Sequence, residues 1–312
     1  MAVDLRGRSL DSLSHLTKEE IEQILKTSEL LKFQLLRGVE HPLLKGKTLA
    51  MIFEKPSTRT RVSFEVGMDQ LGGHAIYLRW RDTQLGRGET IGDTARTLSR
   101  YLNCVMIRTF SQETIEEFAR NATIPVINGL TDSCHPCQIL SDIFTIIEKK
   151  GAYQGLKVAY IGDGNNIAHS WIDAALRLGF DLTLACPAAH QPDRKVLGRA
   201  QQEATSRIEV TSDPSLAAQD ADVISTDTWV SMGQEKEYRQ RIKVFKEFQV
   251  NTHLLTAARK DVVVMHCLPA HRGEEITDEV MDGAHSIIFD QAENRLHLQK
   301  AILVTLMEGP EL

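Results

Sequence analysis

The spacing of apolar residues changes period along the chain, and each change marks an element. Thr17-Lys18-Glu19-Glu20 is a capping box ahead of Ile21, Ile24, Leu25 and Leu31. It predicts an amphipathic helix from about residue 18 to the stop at Arg37-Gly38. Beyond it, short apolar runs at Thr48-Phe53, Ala75-Leu78, Val105-Ile107 and Pro125-Asn128 predict strands. Helix-like stretches near 58–71, 90–101 and 112–121 lie between them, an order that predicts a mostly parallel sheet covered by helices. A helical segment from Gln138 to Lys150 stops at Gly151, after which strands are predicted near 156–161, 182–186, 207–211, 222–226, 261–266 and 286–289. A helix follows the strand at 156–161 over Ile167-Leu178, and the chain closes in one from about Glu293 to Met307. The fold class is therefore α/β, with two doubly wound domains over residues 1–150 and 151–292, each a mostly parallel sheet flanked by helices.

Composition narrows the function classes. The 312 residues carry 36 basic and 42 acidic side chains, a net charge of -6, mixed along the chain, so a nucleic-acid footprint is not expected. No apolar run approaches the roughly 20 residues that cross a bilayer, and Met1-Ala2-Val3-Asp4 opens without a signal core. Five cysteines spread over this length read as thiols. A cytoplasmic protein without membrane partners is the expectation.

Candidate chemistry gathers where strands end. The strand at Met51-Ile52-Phe53 runs into Ser57-Thr58-Arg59-Thr60-Arg61 and then a helix. Free N–H groups, the helix dipole and a guanidinium converge there, a means of gripping phosphate. Arg108 closes the strand Cys104-Val105-Met106-Ile107, and His135-Pro136-Cys137-Gln138 follows another strand at the same rim. Taken singly these are also a well-capped helix start, surface arginines and a structural imidazole; three loops reaching one rim favour the anion site.

In the second half, Gly162-Asp163-Gly164-Asn165-Asn166 occupies the place of a dinucleotide fingerprint but lacks the third glycine and the acidic residue of the next strand. Nicotinamide cofactors are disfavoured, and Asn166 can offer an amide to a carboxylate instead. Asp227 with Ser231-Met232-Gly233 places a carboxylate, a hydroxyl and N–H groups in one loop, a set that suits the head of an amino acid, although an Asp there also caps turns. His266-Cys267-Leu268-Pro269 puts a thiol at the end of a buried strand, with no base fixed beside it. Cys134-His135-Pro136-Cys137 is the rival signal, a C-x-x-C at a helix start. Metal sites from these cysteines, or from His266, Cys267 and His271, lack a second ligand set with finger-like spacing, and no metal or cofactor is expected.

Residues 57–61, 135–138, 227–233 and 266–269 together resemble the aspartate/ornithine carbamoyltransferase family, on its ornithine side, over roughly residues 4 to 308. The resemblance implies a carbamoyl phosphate-binding domain (1–150, with the C-terminal helix 293–312 packing back on it) and an ornithine-binding domain (151–292). It implies transfer of the carbamoyl group from carbamoyl phosphate to the side-chain amine of L-ornithine, giving L-citrulline. Ser57, Thr58, Arg59, Thr60 and Arg108 would hold the phosphate, with Thr60, Arg108 and His135 polarising the carbamoyl oxygen. Gln138 and the carbonyls of Cys267 and Leu268 would take the carbamoyl NH2, and Arg295 would lie near the same ligand. Gln84 matches a loop that reaches a neighbouring subunit, implying a homotrimer or a multiple of trimers. Asn166, Asp227, Ser231 and Met232 match ornithine-binding positions, and either Cys267 or departing phosphate takes the proton. Aspartate is disfavoured as acceptor because the family's aspartate branch has Pro at the position of Cys267 and because Asp227 would repel a second carboxylate. Putrescine as acceptor, the direction of the pathway and a remote C-x-x-C dithiol oxidoreductase stay open.

Overall fold

The computed structural model describes residues 3–309, so Met1-Ala2 and the last three positions of the 293–312 segment lie outside the described residues. In chain order the elements are α1 (Lys18–Leu36), β1 (Thr48–Phe53), α2 (Thr58–Gln70), β2 (His74–Arg79), α3 (Ile91–Leu98), β3 (Cys104–Arg108), α4 (Gln112–Asn121) and β4 (Val126–Leu130). There follow α5 (Pro136–Lys150), β5 (Lys157–Ile161), α6 (Asn166–Leu178), β6 (Asp181–Ala185), α7 (Arg194–Glu203), β7 (Ile208–Thr211), α8 (Pro214–Ala218) and β8 (Val223–Thr226). The last are α9 (Tyr238–Phe245), α10 (Thr252–Leu255), β9 (Val263–His266), α11 (Asp278–Met281) and α12 (Ile288–Met307). The chain forms two units, Met1–Phe144 with Glu293–Leu312, and Thr145–Ala292.

The first unit holds a four-stranded parallel sheet in the order β2-β1-β3-β4. β1 and β3 are buried nearly throughout, as strands covered on both faces must be, whereas edge strand β2 is partly exposed along its length. Ile52, Val105, Ile107, Ile115 and Phe118 pack in one cluster that fastens α3 and α4 to the sheet. The capping box at Thr17 and Glu20 forms and starts α1. The described part of α12 returns to this unit: the carbonyl of Leu306 accepts from Gly7 N–H, and Ser63 donates to Gln299 at 2.5 Å.

The second unit holds a five-stranded parallel sheet in the order β7-β6-β5-β8-β9. Its order reverses at β5, the kind of switch point where open α/β sheets bind ligands. The strand expected at 286–289 does not form. Ser286 makes a single bridge to Val264, and α12 begins at Ile288, fully buried among Ile276, Val280 and Met281. A short apolar run cannot be told from the buried start of a helix by period alone, so the final helix begins five positions earlier than the 293 predicted from sequence. Helices α7 to α11 add to those predicted; α8, α10 and α11 span only 5, 4 and 4 residues, too short for a helical period to register.

Candidate active site

Registry between strands sets the first cluster. Phe53 lies beside Arg108, and Arg108 beside Leu130, so β1, β3 and β4 end together. Ser57 caps α2, its hydroxyl accepting from Thr60 N–H at 3.2 Å. Thr60 is fully buried, and its Oγ1 accepts from Arg295 Nη2 at 2.8 Å and from Arg108 Nη1 at 3.4 Å. Arg295, on α12, also donates through Nη1 to Gln138 Oε1 at 2.8 Å, while Gln138 Nε2 donates to Asp142 at 2.8 Å.

His135 is buried beside these groups. Burial first, and then the positive charges of Arg295, Arg108 and Arg59, hold its imidazole pKa well below the ordinary 6.5. The ring is therefore neutral, and three guanidiniums surround it. The Nε of Arg59 is buried without a hydrogen-bond partner among the described residues, a donor in place for an anion. The structure thus brings together Thr60, Arg59, Arg108, His135, Gln138 and Arg295, with Ser57 capping the helix at whose start Arg59 and Thr60 lie and Thr58 exposed in its first turn. Gln84 is exposed, and its side chain makes no hydrogen bond among the described residues.

The second cluster belongs to the other unit and is built the same way. Thr226 lies beside both Ile161 and His266, so β5, β8 and β9 end in line. Asp227, buried just beyond β8, accepts from Cys267 Sγ at 2.9 Å, from Asn165 Nδ2 at 2.8 Å and from Thr228 N–H at 2.8 Å. Asn165 Oδ1 meanwhile caps α6. Asn166, the first residue of α6, is partly exposed at this end, and Ser231 and Met232 follow Asp227 on a largely exposed loop. Among the described residues no hydrogen bond joins Ser231 or Met232 to Asp227, so the loop's course alone associates them with it. Leu268 adopts a left-handed φ of 58° before a cis bond to Pro269, its N–H donating to His266 Nδ1 at 2.8 Å. The carbonyl of Leu268 accepts no hydrogen bond among the described residues.

Three groups escaped the reading of sequence. Asn165 satisfies the spacing of a helix N-cap, a signal that was present. Asp142 lies one turn beyond Gln138 on α5. Glu275, fully buried and 3.0 Å from His266 Nε2, belongs to a turn that carries no local sign of its partner.

The rival chemistries meet physical objections. Cys134 and Cys137 are both buried, and burial pushes the Cys137 thiol up to about 12, away from the thiolate that disulfide exchange requires. Cys134 Sγ is engaged with Asp11 O, Gln112 and Asn128. Gly164 is needed for close packing of its own chain, since an added Cβ would fall 2.3 Å from the backbone of Gln191 and Pro192. The donor atoms of Asp227, His266 and Cys267 lie within 4.8 Å of one another, as a metal site requires. The thiol, however, is committed to Asp227 and both imidazole nitrogens to Leu268 and Glu275.

Comparison with known proteins places the whole chain in one family. The family model for the aspartate/ornithine carbamoyltransferase carbamoyl-P binding domain matches residues 8–148, and that for the Asp/Orn binding domain matches 154–306. The chain is 59% identical over 300 residues to an ornithine carbamoyltransferase of Syntrophus aciditrophicus, covering 96% of this chain and 99% of that protein. It is 57% identical over 297 residues to one of Geobacter sulfurreducens, covering 95% and 98%. A solved ornithine carbamoyltransferase from Pyrococcus furiosus superposes with a TM-score of 0.95 at 55% identity, over 98% of this chain and 99% of that one.

Proposed function

The chain belongs to the aspartate/ornithine carbamoyltransferase family, and from that membership we propose how its two clusters divide one reaction. The enzyme transfers the carbamoyl group of carbamoyl phosphate to the side-chain amine of L-ornithine, releasing L-citrulline and phosphate. The observation that carries the division is the buried Thr60 held by both Arg295 and Arg108, with Gln138 on Arg295, His135 buried alongside and the buried Nε of Arg59 unpartnered among the described residues. That is a place for a dianion and for a carbonyl oxygen that gains charge. Ser57, Thr58, Arg59 and Thr60 bind the phosphate at the start of α2 together with Arg108. Thr60, Arg108 and His135 polarise the carbamoyl oxygen, and Arg295 holds Thr60 and Gln138 in place while adding its own charge.

Gln138 and the carbonyls of Cys267 and Leu268 take the carbamoyl NH2. Asp227 receives the ammonium of ornithine beside Asn166, Ser231 and Met232. The neutral side-chain amine then attacks the carbamoyl carbon, the new C–N bond forms, and the C–O bond to phosphate breaks. Each preorganised donor to the oxyanion contributes about 3 kcal/mol. Because the Cys267 thiol donates to Asp227, departing phosphate is the better acceptor for the amine's proton.

The relative from Pyrococcus furiosus is named anabolic, and we assign the same biosynthetic direction, toward arginine, to this chain. An exposed Gln84 whose side chain makes no hydrogen bond among the described residues supports a trimer-based assembly in which it completes a neighbour's site. Thiols at all five cysteines, and no helix among the described residues long and apolar enough to cross a membrane, support residence in the cytoplasm.

A citrulline assay with carbamoyl phosphate and, in turn, ornithine, aspartate, putrescine and acetylornithine tests the reading. Ornithine is expected to exceed every other acceptor in kcat/KM; a preference for any other acceptor overturns it.

A further inference from the structure

Between Asp227 and the loop that follows β9 runs a closed set of hydrogen bonds, four of whose members, Thr228, His271, Glu275 and His266, hold no substrate position assigned above. Asp227 Oδ1 accepts from Cys267 Sγ and from Thr228 N–H. Thr228 Oγ1 lies 3.0 Å from His271 Nδ1, and His271 N–H donates to Glu275 Oε1 at 2.5 Å. The same Oε1 lies 3.0 Å from His266 Nε2, and His266 Nδ1 accepts from Leu268 N–H. The set begins at Cys267 and ends at its neighbour Leu268.

We propose that His271 is a positioning residue for the amine acceptor, holding the loop of Asp227, Ser231 and Met232 through Thr228. The proposal rests on the assignment of that loop to ornithine. The direction of the bond follows from valence. The single hydroxyl proton of Thr228 goes to Val230 O at 3.2 Å, so Oγ1 meets His271 with its lone pairs and Nδ1–H is the donor. His271 is itself fixed from behind, because Glu275 is fully buried and takes the backbone N–H, with its second oxygen 3.7 Å from Nδ1.

The tether is paired with a second one. Residues 231–240 are almost wholly exposed, and Tyr238 at their far end donates to Glu274 Oε1 at 2.5 Å. The short turn 271–275 thus grips both ends of the segment that carries Ser231 and Met232. Loss of the His271 tether leaves the phosphate cradle untouched, since Arg59, Thr60, Arg108, His135 and Arg295 take no part in these bonds, and Cys267 and Leu268 are held by Asp227 and by His266 rather than by the His271 ring. The consequence is selective: the acceptor's affinity falls and that of carbamoyl phosphate does not.

The test is steady-state kinetics of citrulline formation by His271→Leu, Thr228→Val and the double variant, with His271→Asn and Thr228→Ser as conservative partners. Each disruptive variant is expected to raise KM for ornithine about 3- to 10-fold, the worth of one hydrogen bond, with KM for carbamoyl phosphate unchanged. The double variant is expected to be no worse than either single one, because both remove the same contact. His271→Asn, which keeps a donor near Nδ1, and Thr228→Ser are expected to recover most of the loss. Equal losses for both substrates, additive effects, or failure of the conservative variants to recover ornithine binding overturn the proposal. Should His271→Leu unfold, the comparison of Thr228→Val with Thr228→Ser decides the matter. Citrulline formation by the unaltered enzyme checks the functional reading separately: its absence defeats that reading and the proposal together, whereas activity without the split defeats the proposal alone.

Discussion

Replacing Arg59 by methionine keeps the length of the side chain and removes its charge. In the folded protein this guanidinium is only partly exposed, its buried Nε has no hydrogen-bond partner among the described residues, and its charge adds to those of Arg108 and Arg295 around His135. Three like charges gathered this way favour a bound anion and strain the empty site. Breaking one guanidinium–phosphate pair costs several kcal/mol when it is buried; discounted for the partial exposure of Arg59, about 2–3 kcal/mol is expected. That corresponds to a loss of carbamoyl phosphate affinity of roughly 30- to 150-fold. The free protein is expected to lose no stability, because repulsion is relieved, while the rise in melting temperature produced by inorganic phosphate shrinks toward zero. The assays are initial-rate kinetics with carbamoyl phosphate varied and thermal unfolding with and without phosphate. Near-normal kinetics, or an undiminished phosphate shift in Tm, would show that the phosphate sits elsewhere and refute the reasoning.

Three further substitutions probe the other groups. His135 has a folded-state pKa well below 6.5, so the unfolded chain binds the extra proton. The associated stability is full above that value and is lost as pH falls below it, and His135→Gln is expected to flatten this acid limb in pH-dependent unfolding while lowering kcat about 100-fold. Asp227→Asn places an amide NH2 among donors and is expected to raise KM for ornithine at least about 30-fold with KM for carbamoyl phosphate little changed; equal losses in substrate-variation kinetics would reject the division of labour. Cys134→Ser keeps a hydrogen-bonding group toward Asp11 O and Gln112 and is expected to leave citrulline formation within about threefold of the parent, so a large loss would revive thiol chemistry at this position.

Sequence by itself determined the strands of both sheets and the rims where they end. Continuous apolar runs such as Thr48–Phe53 and Val223–Thr226 specify strands of parallel sheets because strands covered on both faces have no polar side to present. The residues at or just beyond their ends, Arg108, Ser57 to Thr60, Asp227 and Cys267, are carried to the sheet edge by chain connectivity, so a local reading suffices to place them. Tertiary structure decided everything that depends on partners distant in the chain. Arg295 meets Thr60 across 235 positions and Gln138 across 157, and no local pattern encodes either meeting. The apolar pair Ile287-Ile288 reads equally as strand or helix until Ile276, Val280 and Met281 cover it and α12 begins there. Asn165 reaches Asp227 across 62 positions, because the capping geometry at the start of α6 turns its amide toward β8. The short-range forces that form strands and caps act within a few residues and are written there. Hydrogen bonds and charges between loops exist only once the sheets bring the loops together.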